Sequence, residues 1–83
     1  MRYIIMCRSL TYAQRAARVL EKAAVTVGIQ KAPNGLSKNG CSYCVTVSNN
    51  KIQRAIQVLK KEGLLQGKIY EQDAAGNYRE AVF

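Results

Sequence analysis

Pro33-Asn34-Gly35-Leu36-Ser37-Lys38-Asn39-Gly40-Cys41-Ser42-Tyr43-Cys44 divides the chain into two similar halves of structure. Pro-Asn-Gly is turn chemistry: the proline presets its own φ, while asparagine and glycine accept left-handed backbone. It therefore ends the β-favouring run Val25-Thr26-Val27-Gly28-Ile29-Gln30-Lys31, in which Gly28 reads as a bulge. The polar, glycine-bearing loop then runs into a further strand over Tyr43 to Val47, whose pattern also admits a start at Cys41. A strand, a turn and a strand make a hairpin.

Upstream of this hairpin, Arg2-Tyr3-Ile4-Ile5-Met6-Cys7 is a short apolar run read as a first strand. Ser9 or Thr11 can cap a helix from about Thr11 to Ala24. Leu10, Ala13, Ala17, Leu20 and Ala24 recur at the period of one buried helical face. Downstream, Asn49 or Asn50 can cap a second helix carrying Ile52, Ala55, Ile56 and Leu59 on one face and stopping near Gly63. Lys68 to Glu71 forms a fourth strand, Asp73 to Asn77 a turn, and Tyr78 to Val82 a short fifth strand. The order predicts an α+β fold, a ferredoxin-like β-α-β-β-α-β sandwich. Right-handed crossovers give an antiparallel sheet in the order 4-1-3-2, with two helices on one face and the other face open. Residues 1–83 read as a single domain.

Composition narrows the chemistry. With 48% hydrophobic residues among 83, a packed globule is expected. No apolar run is long enough to cross a bilayer, and the N-terminus lacks signal-peptide features. Three cysteines is an odd number, which argues against a secreted disulfide framework. These features predict a cytoplasmic location with free thiols. The absence of histidine excludes serine-histidine and cysteine-histidine catalysis within the chain. It also leaves too few ligands for a tetrahedral metal shell, so no metal and no cofactor is expected. A net charge of +8 favours an anionic partner.

The topology brings distant thiols together. Cys7 ends the first strand and Cys41 begins the third, and those strands are expected side by side and antiparallel. The first helix starts at the same edge, and its N-terminus, Ser9, Arg8 and Lys38 would favour a thiolate on Cys41, the nucleophilic form. Gly40 leaves the backbone free to approach a bulky sulfur donor. Cys44 and Cys7 are candidate resolving thiols, each also explicable as a small buried residue. Cys41-x-x-Cys44 has redox spacing, yet on an extended strand residues three apart sit roughly 10 Å apart on opposite faces. A disulfide needs less than about 7 Å, so Cys41–Cys44 requires Cys41 to remain in the loop, and Cys7–Cys41 is the other option.

At these residues the chain resembles the selenium/sulfur carrier-like family, small bacterial proteins of about this length. The similarity covers nearly the whole chain. It rests on the first strand followed by Ser9 and Ala13, a lysine-bearing helix end, Pro33, Leu36-Ser37 and the Gly40-Cys41 pair. The commoner family pattern places the cysteine before the glycine, and has an aromatic residue where this chain has Cys7. The resemblance implies a carrier that holds sulfur or selenium on Cys41 as a persulfide-type adduct. It also implies a donor such as a cysteine desulfurase and an acceptor enzyme.

Two other readings compete. The same element order underlies the RNA recognition motif, in which Tyr3 and Tyr43 would stack bases on the open sheet face. The third strand, however, lacks that motif's basic-glycine-aromatic run, which disfavours nucleic acid. A regulatory module that forms a homodimer through the same face would need no chemistry at all.

Overall fold

The adjacent residues Ile4 and Ile5 are both sealed from solvent, and because neighbours on a strand point to opposite faces, both faces of their strand are covered. This strand, β1 (Arg2–Cys7), lies at the centre of the computed structural model, which describes residues 2–32, 43–65 and 67–82. The remaining elements are α1 (Leu10–Lys22), β2 (Val27–Lys31), β3 (Tyr43–Ser48), α2 (Ile52–Glu62), β4 (Ile69–Gln72) and β5 (Tyr78–Ala81). The strands form one antiparallel sheet in the order β2-β3-β1-β4-β5. The fifth strand is thus a full member, paired to β4 at the edge.

The core lies between one sheet face and the helices. Ile5, Val45, Val47 and Ile69 meet Ala13, Ala16 and Leu20 of α1 and Ile52, Ala55, Ile56 and Leu59 of α2. Small alanines let α1 approach the sheet closely, and each buried Leu, Ile or Val adds roughly 1.5–3 kcal/mol. The expected α1 face shifts at its ends: Leu10 is 40% exposed and Ala24 faces solvent, while Ala16 joins the buried set. Leu10 is the first helical residue, and Ala24 lies beyond the last.

Local chemistry sets the boundaries. Ser9 caps α1 in extended conformation, its Oγ accepting from Tyr12 N–H at 3.4 Å. At the other end Ala24 takes φ +64°, the Ala24 N–H bonds to Glu21 O, and the Val25 N–H bonds to Leu20 O at 2.9 Å. Val25, expected in the second strand, therefore belongs to this helix closure, and it is fully buried. β2 begins two residues later. Gly28 forms no bulge: its register with Thr46 is regular, and a Cβ there would crowd Thr46 Oγ1 at 2.9 Å. α2 lacks the expected asparagine cap. Lys51 precedes it without a side-chain cap, because Asn50 Oδ1 accepts from the Ser48 hydroxyl at 2.8 Å instead. The Asp73 carboxylate closes the β4–β5 turn by accepting from Ala75 and Asn77 N–H.

The two helices repeat one another. Gln14-Arg15-Ala16-Ala17-Arg18-Val19-Leu20-Glu21-Lys22 is matched at six of nine positions by Gln53-Arg54-Ala55-Ile56-Gln57-Val58-Leu59-Lys60-Lys61. The left-handed closing residue also coincides, Ala24 in one helix and Gly63 (φ +71°) in the other. An L side chain pays for that conformation and glycine does not. Ala24→Gly is therefore expected to stabilise the protein by about 0.5–1 kcal/mol and Gly63→Ala to destabilise it by about 1 kcal/mol. Urea midpoints at constant m-value measure both.

Candidate functional site

The β1–β3 ladder sets the geometry of the thiols. Cys7 lies opposite Tyr43 and Met6 opposite Cys44, so Cys7 points to the helix face and Cys44 to the other. The two described thiols therefore cannot bridge one another, and both are free. Cys41, Gly40 and Lys38 lie outside the described residues.

Cys7 is only 6% exposed, and its Sγ donates to the Ile5 carbonyl at 3.7 Å. Burial pushes its thiol up to about 11, with Cys44 adding a smaller push in the same direction. Cys44 is fully buried, and burial raises its pKa as well, offset in part by a hydrogen bond from Gln30 and the charge of Arg2. Both therefore stay protonated and poorly nucleophilic at neutral pH.

The sheet face away from the helices is less open than expected. Ile4 and Cys44 on that face are both 0% exposed. Their cross-strand neighbours are Thr46 and Tyr70 beside Ile4, and Met6 and Gln30 beside Cys44. All four are partly buried. Tyr3 and Tyr43 do not belong to it. They share the parity of Ile5 and Val45 and pack against the helix-side core, so neither can offer a base-stacking platform on the opposite face. The Tyr3 hydroxyl donates to Glu71 at 2.9 Å, and that bond raises its pKa. Arg79 donates to the same carboxylate at 2.6 Å, and these two partners, Arg79 foremost, hold Glu71 below the usual carboxylate range.

At the end of β1, Ser9 is engaged as the α1 cap. Exposed Arg8 lies over the Tyr12 ring at 5.5 Å, and Arg15 lies over the same ring at 5.9 Å. Tyr12 was not among the candidates read from the sequence, although its spacing of four and three residues from the two arginines carries the signal. Gln30 was also missed, since only strand register places it beside Cys44. Among the described residues no three His, Cys, Asp or Glu side chains gather as a metal shell. No described helix is long and apolar enough to cross a membrane.

Residues 2–71 match the model of a family described as "Putative Se/S carrier protein-like". No curated protein and no solved structure matches the chain.

Two measurements test the thiol geometry. Brief treatment of the native protein with iodoacetamide at pH 8 should leave Cys7 and Cys44 unmodified, whereas all three cysteines react in denaturant; peptide mass spectrometry reads each site. The folded state also holds the Cys7 proton more tightly than the unfolded chain does. The resulting stability is fully present below the ordinary thiol pKa and is lost as pH rises towards about 11. Wild type should therefore lose about 2–3 kcal/mol more than Cys7→Ala over that interval.

Proposed function

Because the chain belongs to this Se/S carrier-like family over residues 2–71, we propose that it carries sulfur or selenium covalently on Cys41 and delivers it to an acceptor enzyme. The observation that carries the choice of residue is the fate of the other two thiols. Cys7 and Cys44 are sealed and held protonated, which suits neither to the carrier role and turns the choice to the third cysteine of the chain, Cys41.

Chain connectivity supports a site at the sheet edge. Cys41 stands two residues before Tyr43, hence within about 7 Å of it by α-carbon. Tyr43 in turn is paired with Cys7, and Arg8 and the Ser9-capped start of α1 follow directly. Positive side chains and free helix amides in that neighbourhood favour a thiolate. The frame is a single ferredoxin-like domain, a 4-1-3-2 sheet extended by one strand. Gly40 and Lys38, one and three residues before Cys41 in the chain, are assigned the same anion-stabilising role.

The transfer is balanced without an external oxidant. The Cys41 thiolate attacks the terminal sulfur of a donor persulfide. A bond forms between Cys41 Sγ and that sulfur, the donor S–S bond breaks, and the donor leaves as a thiolate. An acceptor nucleophile then attacks the outer sulfur and releases Cys41 as thiolate. Delivery needs no second thiol from this chain, and a selenium atom follows the same two displacements. A cytoplasmic cysteine desulfurase is the class of donor that fits.

Incubation with a cysteine desulfurase and cysteine should add one sulfur mass to the wild-type chain. Cys41→Ser should abolish the adduct, while Cys7→Ala and Cys44→Ala retain it. An unmodified wild-type chain, or an adduct surviving in Cys41→Ser, would overturn the assignment.

A further inference from the structure

The positive charge of this protein is concentrated on its helix layer. From Arg8 to Lys22 and from Lys51 to Glu62 the chain carries eight lysines and arginines against two acids, Glu21 and Glu62. Six of the eight net positive charges therefore belong to these two segments. At the β4–β5 edge of the sheet cations are neutralised in pairs: Lys68 with Glu80 at 3.5 Å and Arg79 with Glu71 at 2.6 Å.

The helix repeat gives this surface a shape. Arg15, Val19 and Lys22 follow one another at intervals of four and three, and so do Arg54, Val58 and Lys61. Each helix thus presents a stripe of cation, valine and lysine. The valine and lysine of each stripe line a common groove of about 320 Å³, formed by Val19 and Lys22 of α1 with Ala23 just beyond its end and by Val58, Lys61 and Glu62 of α2. These are three pairs of equivalent positions in the repeat. Arg54 Nε donates to the Ala23 carbonyl at 3.1 Å, which ties the two helices together at the groove.

We propose that this groove docks an acidic amphipathic segment of a partner protein, apolar side chains on Val19, Ala23 and Val58 and carboxylates on Lys22 and Lys61. Charge complementarity identifies the occupant. A second copy of the chain would set Lys22 and Lys61 against their like, with Glu62 the one acid of the lining to offset them, and like charges across an interface oppose association. Nucleic acid would satisfy the lysines, but the floor is aliphatic and offers no ring on which a base could stack. A segment with apolar residues along one side and carboxylates along its flanks satisfies both floor and rim. The inference is independent of what Cys41 carries.

The test is an amide NMR titration of the full chain with a synthetic helical peptide bearing leucine and glutamate at three- and four-residue spacing. Shifts should centre on Val19, Ala23 and Val58, and binding should weaken as salt is added. The double reversal Lys22→Glu with Lys61→Glu, at exposed positions that do not threaten folding, should weaken binding at least tenfold. Oligoglutamate without leucines should bind more weakly than the amphipathic peptide. Shifts centred elsewhere, or equal binding of oligoglutamate, would overturn the proposal. So would displacement of the peptide by an RNA oligonucleotide at these residues, or self-association that buries Val19 and Val58.

Discussion

The register between β1 and β3 is the constraint on which the rest depends. Side chains alternate along a strand, so a slip of one residue would exchange every inward and outward position. In the observed pairing Tyr3, Ile5 and Cys7 share the helix face with Tyr43, Val45 and Val47, while Ile4 and Cys44 go to the reverse. That single alignment places two thiols on opposite faces and packs two partly buried tyrosines against the helix-side core. It also leaves the end of β1, the start of α1 and the entry to β3 at one edge.

Burial on both faces then acts on the chemistry. A thiol removed from water resists losing its proton, and Cys7 and Cys44 experience this from opposite sides of the same sheet. The cysteines that complete the core are thereby withdrawn from reaction. Solvent access rather than sequence motif fixes the state of these two thiols, and the C-x-x-C spacing gives no sign that Cys44 is buried.

Much of the fold is legible in the sequence because its signals are local. The bounds Arg2–Cys7, the buried face of α2, the Asp73 turn and a fifth strand after it all rest on periodicity and turn chemistry. The misreadings share a different cause. Val25 looks like a strand residue by propensity but closes a helix, because Ala24 adopts a conformation usually left to glycine. Asn50 looks like a cap but is claimed by Ser48. Tyr3 and Tyr43 lie on the expected strands, yet which face they occupy depends on register and helix placement. For the site, the edge where Cys7 meets Tyr43 follows from topology alone, whereas the sealing of Cys7 and Cys44 is a tertiary effect. The helix repeat is plain in the sequence and needs only a comparison of the chain with itself.

The strand order has a consequence for how the protein comes into being. The first half contributes β1 and β2, yet β3 from the second half lies between them, and β1 in turn separates β3 from β4. The halves are interdigitated: the first holds no two strands that are neighbours, and the second only the β4–β5 hairpin. During synthesis the first strand has no neighbour until Tyr43–Ser48 has emerged, and a chain cut between the halves would have to reassemble from both pieces to recover either one.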